Sequence, residues 1–283
     1  MKIGCGAYYL NRYGLKAGAR KMREDGYEFV DYQLAVTEGE LYAARDEDFL
    51  AMVSSVRREL NSEGISVSQI HGPWRCPPRD LEDADRAERF EKMTKAMVIG
   101  KYLGAKYMAI HPLMPFGVEN DRAEEVLQIN HAFFSALAKV ASSLGIVICL
   151  ENMPFVNFPL SDVKSIVDFV KQIDHPSLKM CFDTGHANMF EGRIGDMVRY
   201  AGDLIKIVHV HDNYGDADSH NKPYDGTVDW ADFIEALFDV GFDGVMNLEA
   251  NFFKRGELKK GISDERAAEV EKEMAKLAML LGG

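Results

Sequence analysis

Apolar residues along this chain fall into short unbroken runs that alternate with longer stretches in which they recur every three or four positions. The short runs, rich in Val, Ile and aromatic residues, predict β-strands near residues 2–7, 29–34, 66–71, 107–111, 146–151, 179–183, 205–209 and 245–249. The longer stretches predict helices near residues 15–25, 47–63, 83–103, 121–144, 161–173, 194–201, 229–240 and 264–281. The punctuation agrees with that division. Gly26, Gly64, Gly104, Gly145 and Gly241 each follow a helical stretch just before the next strand, where a left-handed cap belongs. Ser161 or Asp162 is placed to cap the fifth helix, and Asp229 falls in the first turn of the seventh, where a carboxylate meets the positive end of the dipole. About eight βα units in a chain of 283 residues predict a single (β/α)8 barrel rather than an open sheet. No Ser/Gly tract or low-complexity run interrupts the alternation, so residues 1–283 read as one domain. Gly4-Cys5-Gly6 lies inside the first strand and lacks a third glycine, which disfavours a dinucleotide fold.

The polar positions carry the second signal. His71, His111, Glu151, Asp183, His209 and Glu249 each end an apolar run, with differences in residue number of 40, 40, 32, 26 and 40. Each interval accommodates one helix and a return strand, so all six residues are carried to the same rim of the barrel. That rim is the carboxyl end of the strands, where barrels of this kind keep their active sites. Alternation along Val147-Ile148-Cys149-Leu150-Glu151 puts Glu151 on the same face as Cys149 and Val147, and aims it into the barrel mouth if the smaller residues face inward.

Several carboxylates buried together without a cation would each cost several kcal/mol or be forced to protonate. A divalent ion removes that cost. Mixed Glu, Asp and His donors suit Mn, Mg, Co, Fe or Zn, and the absence of Cys from the set disfavours a structural zinc site. His186, three residues past Asp183, reaches the same rim, and His211 shares strand parity with His209. Asp218-Ser219-His220 forms a D-x-H pair in the loop after the seventh strand and supplies two further candidate ligands.

Composition narrows the partners. The net charge is −12, from 33 basic and 45 acidic residues, a balance that repels a phosphate backbone; no nucleic-acid partner is expected. Cys5, Cys76, Cys149 and Cys181 show no CxxC spacing, and three of them lie inside predicted strands, as free thiols in a reducing compartment would. No signal peptide precedes the first strand and no apolar run approaches a membrane span, so a cytoplasmic protein is expected.

At this level of detail the chain resembles a known family. Gln-Ile-His71-Gly, Ala-Ile-His111-Pro, Leu-Glu151-Asn-Met, Cys-Phe-Asp183-Thr-Gly-His186-Ala-Asn, Val-His209-Val-His-Asp212-Asn and Asn-Leu-Glu249 are similar to the strand ends of the xylose-isomerase-like TIM barrels. The resemblance covers essentially the whole chain, and Phe-Asp-Thr-Gly-His is its most specific piece. That superfamily contains sugar and sugar-phosphate isomerases and epimerases, among them D-tagatose 3-epimerase and hydroxypyruvate isomerase, and also the endonuclease IV repair nucleases. The epimerase branch implies that Glu151, Asp183, His209 and Glu249 hold one divalent metal (Mn, Mg, Co or Zn), with Glu151 and Glu249 doubling as an acid/base pair. It implies a substrate contact for His186 and a pocket lined by His71 and His111. The chemistry expected is removal and return of a proton beside a carbonyl through an enediolate, giving epimerisation or aldose–ketose isomerisation.

The nuclease branch uses a larger ligand set for three zinc ions. This chain has a counterpart for each ligand: His71, His111, Glu151, Asp183, His186, His209, Asp218, His220 and Glu249. Three departures favour the sugar enzymes: Pro-Leu-Met-Pro after His111, Asn-Met-Pro-Phe-Val after Glu151, and the acidic charge balance. Pro223-Tyr224-Asp225-Gly226 stands where isomerase-like members read Pro-Gly-Glu-Gly, and Tyr214-Gly215 occupies the stretch where the epimerases carry an arginine. A small sugar is therefore the expected substrate. The alternatives are a zinc phosphodiesterase acting on abasic DNA and a non-catalytic sugar-binding barrel. Tyr8, Tyr9, Trp74, Phe116 and Phe155 fall in predicted βα loops, where they are placed to stack on a sugar or to pack a lid, and Arg75 and Arg79 are the nearby cations. Phe252-Phe253, after the eighth strand, hints at a face for a homo-oligomer or packing on the last helix.

Overall fold

The computed structural model describes residues 1–33, 46–74, 80–118 and 122–282. Eight strands form at the predicted places: β1 (Lys2–Cys5), β2 (Phe29–Gln33), β3 (Ser66–His71), β4 (Tyr107–Ile110), β5 (Val147–Glu151), β6 (Leu178–Asp183), β7 (Ile205–Val210) and β8 (Val245–Leu248). Each pairs in parallel with the next and β8 closes on β1, giving the (β/α)8 barrel that the alternation predicts. Leu34, at the end of the second predicted strand, lies outside the described residues, as do Arg75, Cys76 and Arg79.

The helices are α1 (Tyr8–Tyr13), α2 (Leu15–Glu24), α3 (Asp46–Ser62), α4 (Asp83–Leu103), α5 (Ala123–Leu144), α6 (Val163–Ile173), α7 (Thr184–Ala187), α8 (Ile194–Ala201), α9 (Trp230–Asp239), α10 (Arg255–Lys260) and α11 (Asp264–Gly282). Eight of them answer to the periodic stretches. The other three, α1, α7 and α10, are one or two turns long and too short to show a 3.6-residue stripe. Asp162 rather than Ser161 caps α6, accepting a hydrogen bond from Ser165 N at 3.0 Å. Asp229 occupies the N-cap of α9 itself, one position before the first turn, and accepts from Asp232 N at 3.1 Å.

Two apolar cores follow from strand parity. The large one lies between the barrel and its helices. The small one fills the barrel: Ala109, Cys149, Cys181 and Ile207 are buried together, with Tyr107 and Val147 packed against them. These are the residues two and four places before His111, Glu151, Asp183 and His209, so the same alternation that buries the plug aims those side chains up through it.

Two sequence expectations change here. Tyr8 and Tyr9 lie in α1, not in an open loop; Tyr9 is fully buried and Tyr8 stacks on Phe252 at 3.9 Å between ring centroids. Phe252 and Phe253 therefore pack inward on α1, Phe253 being buried, and do not form an exposed apolar face. Cys5, Cys149 and Cys181 are buried free thiols, and burial pushes each of them up from its ordinary pKa. Among the described residues no helix is long and apolar enough to cross a membrane.

Candidate functional site

The carboxyl ends of β3 to β8 surround a cavity of about 370 Å³. Its floor includes His71, His111, Glu151, His186 and Glu249; its walls include Trp74, Met153 and Phe155. Asp218 and His220, from the loop after β7, also reach it. Asp183, His209 and His211 have no exposed surface and contact the lining: His209 meets Glu151 and Glu249, Asp183 lies 3.6 Å from His186 Nδ1, and His211 lies 3.9 Å from Asp218. Of the predicted wall aromatics, Trp74 and Phe155 line the cavity, whereas Phe116 packs against the core with the Arg122 guanidinium over its ring at 3.7 Å.

Glu151 stands at the centre. Its Oε1 lies 3.0 Å from His209 Nδ1, and its Oε2 lies 3.3 Å from His111 Nε2 and 3.6 Å from His71 Nε2. The same His209 Nδ1 is 2.8 Å from Glu249 Oε2. One ring hydrogen cannot satisfy both carboxylates, and Glu151 Oε2 and Glu249 Oε2 are buried without a directed hydrogen bond. Burial alone would raise the pKa of Glu151. The imidazoles of His209, His111 and His71 outweigh it and hold the carboxyl well below its usual range. Burial likewise opposes ionisation of Glu249, and His209 beside it again carries the group below the ordinary carboxylate range. His209 responds in kind: against burial, the neighbouring acids raise it well above the normal imidazole value. His71 is raised by Glu151 against burial, whereas in His111 burial wins and lowers it.

Asp183 is positioned by its own turn. The chain passes from β6 straight into α7, and Asp183 Oδ1 caps that helix by accepting from His186 N at 2.7 Å. Asn152, the residue after Glu151, clamps the Asp183 backbone from both sides, accepting from its N at 2.9 Å and donating to its O at 3.0 Å. His211 Nε2 lies 2.9 Å from Asp183 Oδ1. Gly185 permits this contact, since a Cβ there would fall 2.0 Å from the His211 ring.

A second group sits beside the first. Asp218 lies 3.4 Å from His186 Nε2 and 3.3 Å from His220 Nε2, and the His220 ring stacks on His211 at 3.8 Å. Burial is again opposed by charge: Asp183 and Asp218 take His186 up to about 10, Asp218 and Glu249 take His220 up to about 9, and the two imidazoles hold Asp218 far below its usual value. The loop bearing this pair is pinned by Asp212, which accepts from Trp230 Nε1 at 3.0 Å, Val228 N at 3.1 Å and Tyr224 N at 3.1 Å. Tyr224, in the same loop, takes a left-handed φ of 68°.

The donor atoms fall into sets whose members lie within 4.8 Å of one another: Glu151, Asp183, His209 and Glu249; His71, His111 and Glu151, which shares Glu151 with the first; and, separately, His186, His211, Asp218 and His220. The first set suits a divalent cation best. It offers three carboxylates and an imidazole, no thiolate, and two carboxylate oxygens that no proton donor satisfies. Sequence reasoning missed Asp31, Gln69 and Asn247, which are buried inside the barrel below His209, and the Asn152 clamp. The available signal was a set of polar residues at inward parity, Gln69 two before His71 and Asn247 two before Glu249.

The comparisons agree with this architecture. The xylose isomerase-like TIM barrel family model matches residues 19–278. An uncharacterised protein of Methanocaldococcus jannaschii is 32% identical over 219 residues, covering 72% of this chain and 73% of its own length. A D-psicose 3-epimerase of Ruminiclostridium cellulolyticum is 36% identical over 114 residues, which are 40% of this chain and 37% of that enzyme. The crystal structure of D-psicose 3-epimerase with D-tagatose from Clostridium cellulolyticum H10 superposes with a TM-score of 0.80, 19% identity and 99% coverage of both chains, a likeness of fold. A probable endonuclease 4 of Metamycoplasma arthritidis also matches, 26% identical over 186 residues and covering 62% of each chain.

Proposed function

The chain belongs to the xylose isomerase-like TIM barrel family, and from that premise we propose that it is a divalent-metal-dependent sugar isomerase or epimerase acting on a small ketose. One observation carries this reading: two acidic side chains, Glu151 and Glu249, converge on the same imidazole nitrogen at the floor of an open cavity, each with an unsatisfied oxygen. Glu151, Asp183, His209 and Glu249 would hold the cation, whose charge would lower the energy of the oxyanion that develops when a carbon next to a carbonyl is deprotonated.

The remaining chemistry belongs to the side chains. Glu151, kept ionised by its imidazoles, is the base that accepts the carbon-bound proton. Glu249, a quarter exposed at the cavity edge, takes a proton from water and delivers it to the opposite face of the planar enediolate, inverting that carbon, and Glu151 then returns its own proton to water, so that both carboxylates end ionised. Delivery to the neighbouring carbon instead would give aldose–ketose isomerisation. His186, with Nε2 turned towards Asp218 at the cavity lining, is suited to bind a sugar hydroxyl or the developing oxyanion. Trp74 and Phe155 offer apolar faces to the carbon skeleton.

The test is to incubate the protein with Mn²⁺ and D-psicose or D-fructose in D2O and follow the carbon-bound protons by NMR. Deuterium appearing next to the carbonyl, together with a new epimer or aldose, is the expected result. A protein that binds a ketose and never exchanges that proton is a sugar-binding barrel instead.

A second reading rests on the His186, His211, Asp218 and His220 group, which together with the other two sets could hold more than one ion, as a phosphodiesterase on abasic DNA would need. The net charge of −12 opposes it. Tight retention of three zinc ions with nicking of an abasic duplex would decide for the nuclease.

A further inference from the structure

His209 is built into the site differently from its neighbours. His71, His186 and His220 each direct Nδ1 to a backbone carbonyl, of Gly72 at 2.9 Å, Asn152 at 2.8 Å and Glu249 at 3.0 Å, and turn Nε2 towards the carboxylates. A carbonyl only accepts, so each of those rings carries a proton on Nδ1, whether or not Nε2 is protonated as well. His209 is reversed. Its Nδ1 faces Glu151 and Glu249, and its Nε2 points down the barrel to the Gln69 carboxamide at 2.8 Å and Asp31 Oδ2 at 3.4 Å.

Behind Gln69 runs a chain of groups that can each donate or accept. Gln69 meets Asn247 at 2.6 Å, Asn247 meets Ser68 Oγ at 3.1 Å, and Ser68 Oγ meets Val30 O at 3.2 Å. Two adjacent strand residues, Ser68 and Gln69, both reach Asn247 because the β2–β3 register shifts between Val30 and Asp31. In a regular strand they would face opposite ways. Gly4 completes the arrangement, since a Cβ there would lie 2.5 Å from Asn247 Oδ1.

We propose that Asp31 and the Gln69–Asn247–Ser68 chain are positioning residues that keep the His209 ring proton on Nε2 when a divalent cation occupies Nδ1; this rests on His209 being a ligand, as proposed above. With Nδ1 protonated, Gln69 donates to Nε2, Asn247 donates to Gln69, and Ser68 donates to Asn247. With the proton on Nε2, Asp31 and Gln69 accept it. Half-turns of the two carboxamides then let Gln69 donate to Asn247, Asn247 to Ser68, and Ser68 to Val30 O. The chain from Gln69 to Val30 O is complete in both directions, the turned state giving up only the long Asn247 Nδ2 to Val245 O bond at 3.4 Å, and no heavy-atom position has to change beyond the exchange of amide oxygen and nitrogen.

The test uses the full chain labelled with ¹⁵N-histidine and titrated with Zn²⁺. Zinc dissociation constants come from chelator competition on the wild type, Asp31→Asn, Gln69→Leu and Gln69→Glu, with circular dichroism confirming the fold. The expected spectrum places the His209 proton on Nδ1 or on both nitrogens without zinc, and on Nε2 alone with it. Gln69→Leu and Asp31→Asn are expected to weaken zinc binding about 10–100-fold, the range typical of groups that orient a ligand. Gln69→Glu, which restores an acceptor at Nε2, is expected to recover it. A zinc-loaded wild type whose His209 Nε2 carries no proton would overturn the proposal without touching the metal site, and so would affinities within twofold of wild type in both weakening variants. A wild type that takes up no zinc would overturn the metal site and this proposal together.

Discussion

Glu151 and Glu249 each carry a buried oxygen with no directed hydrogen bond among the described residues, and both are held ionised by imidazole against the pull of burial. Those two properties make their amide variants informative. Glu151→Gln and Glu249→Gln keep the shape but remove the charge and the basic oxygen, so turnover is expected to fall by about 10²-fold or more, the size of a lost general acid or base. Activity within threefold of wild type in either variant would contradict the two-carboxylate mechanism. The neighbouring imidazoles give a pH dependence with a definite sign. His186 and His220 are raised to about 10 and about 9 by their carboxylates. Their stabilisation is therefore complete below the unfolded imidazole value, near 6.5, and is lost as pH rises through 9 and 10. With chelator present, the melting temperature should drop between pH 7 and pH 10. In His220→Asn that drop should be smaller; equal drops would remove His220 from the account.

At the scale of elements, the turn from β6 into α7 shows what a sequence does and does not disclose. The strand was legible because Leu178 to Asp183 is an apolar run ending in an acid, and the rim position of Asp183 followed from counting βα units. The one-turn helix after it was not legible, because four residues cannot display a helical stripe. Yet that helix aims Asp183 and His186 and seats His211. The polar chain below His209 was only partly legible: Gln69 and Asn247 keep inward parity with His71 and Glu249, but Ser68 joins them only through the shift in β2–β3 register, which breaks the two-residue alternation. Tyr8 and Tyr9 misled because a two-turn helix inside a βα connection looks like loop. The α7 turn also predicts a sensitive position. Gly185→Ala would drive a Cβ to 2.0 Å from the His211 ring, so the ring or the turn must move. A loss of about 1–3 kcal/mol in chemical denaturation is expected, together with weaker cation binding. Unchanged stability and affinity would mean that the His211–Asp183 contact is slack.

At the scale of the whole molecule, the proposed ligands Glu151, Asp183, His209 and Glu249 come from or just past four successive strands, β5 to β8, and β8 is the strand that closes the barrel on β1. A cation held by all four would tie together segments almost 100 residues apart in sequence, a distance over which parallel pairing is otherwise slow to form. Because the unfolded chain lacks the assembled site, the cation stabilises only the folded barrel. At a free cation concentration of about 1,000 times Kd the gain is about 4 kcal/mol. For a chain of this size each kcal/mol moves Tm by about 2–4 °C, so exhaustive chelation is expected to lower Tm by roughly 10 °C. The effect should vanish in Glu151→Gln if the cation is held by the set that contains Glu151, Asp183, His209 and Glu249. A second, independent drop on chelation in that variant would instead assign the cation to His186, His211, Asp218 and His220, and would favour the multi-ion reading over the single-ion epimerase. Scanning calorimetry of both proteins, with and without chelator, separates the two, since only the single-ion site loses its whole linkage when Glu151 loses its charge.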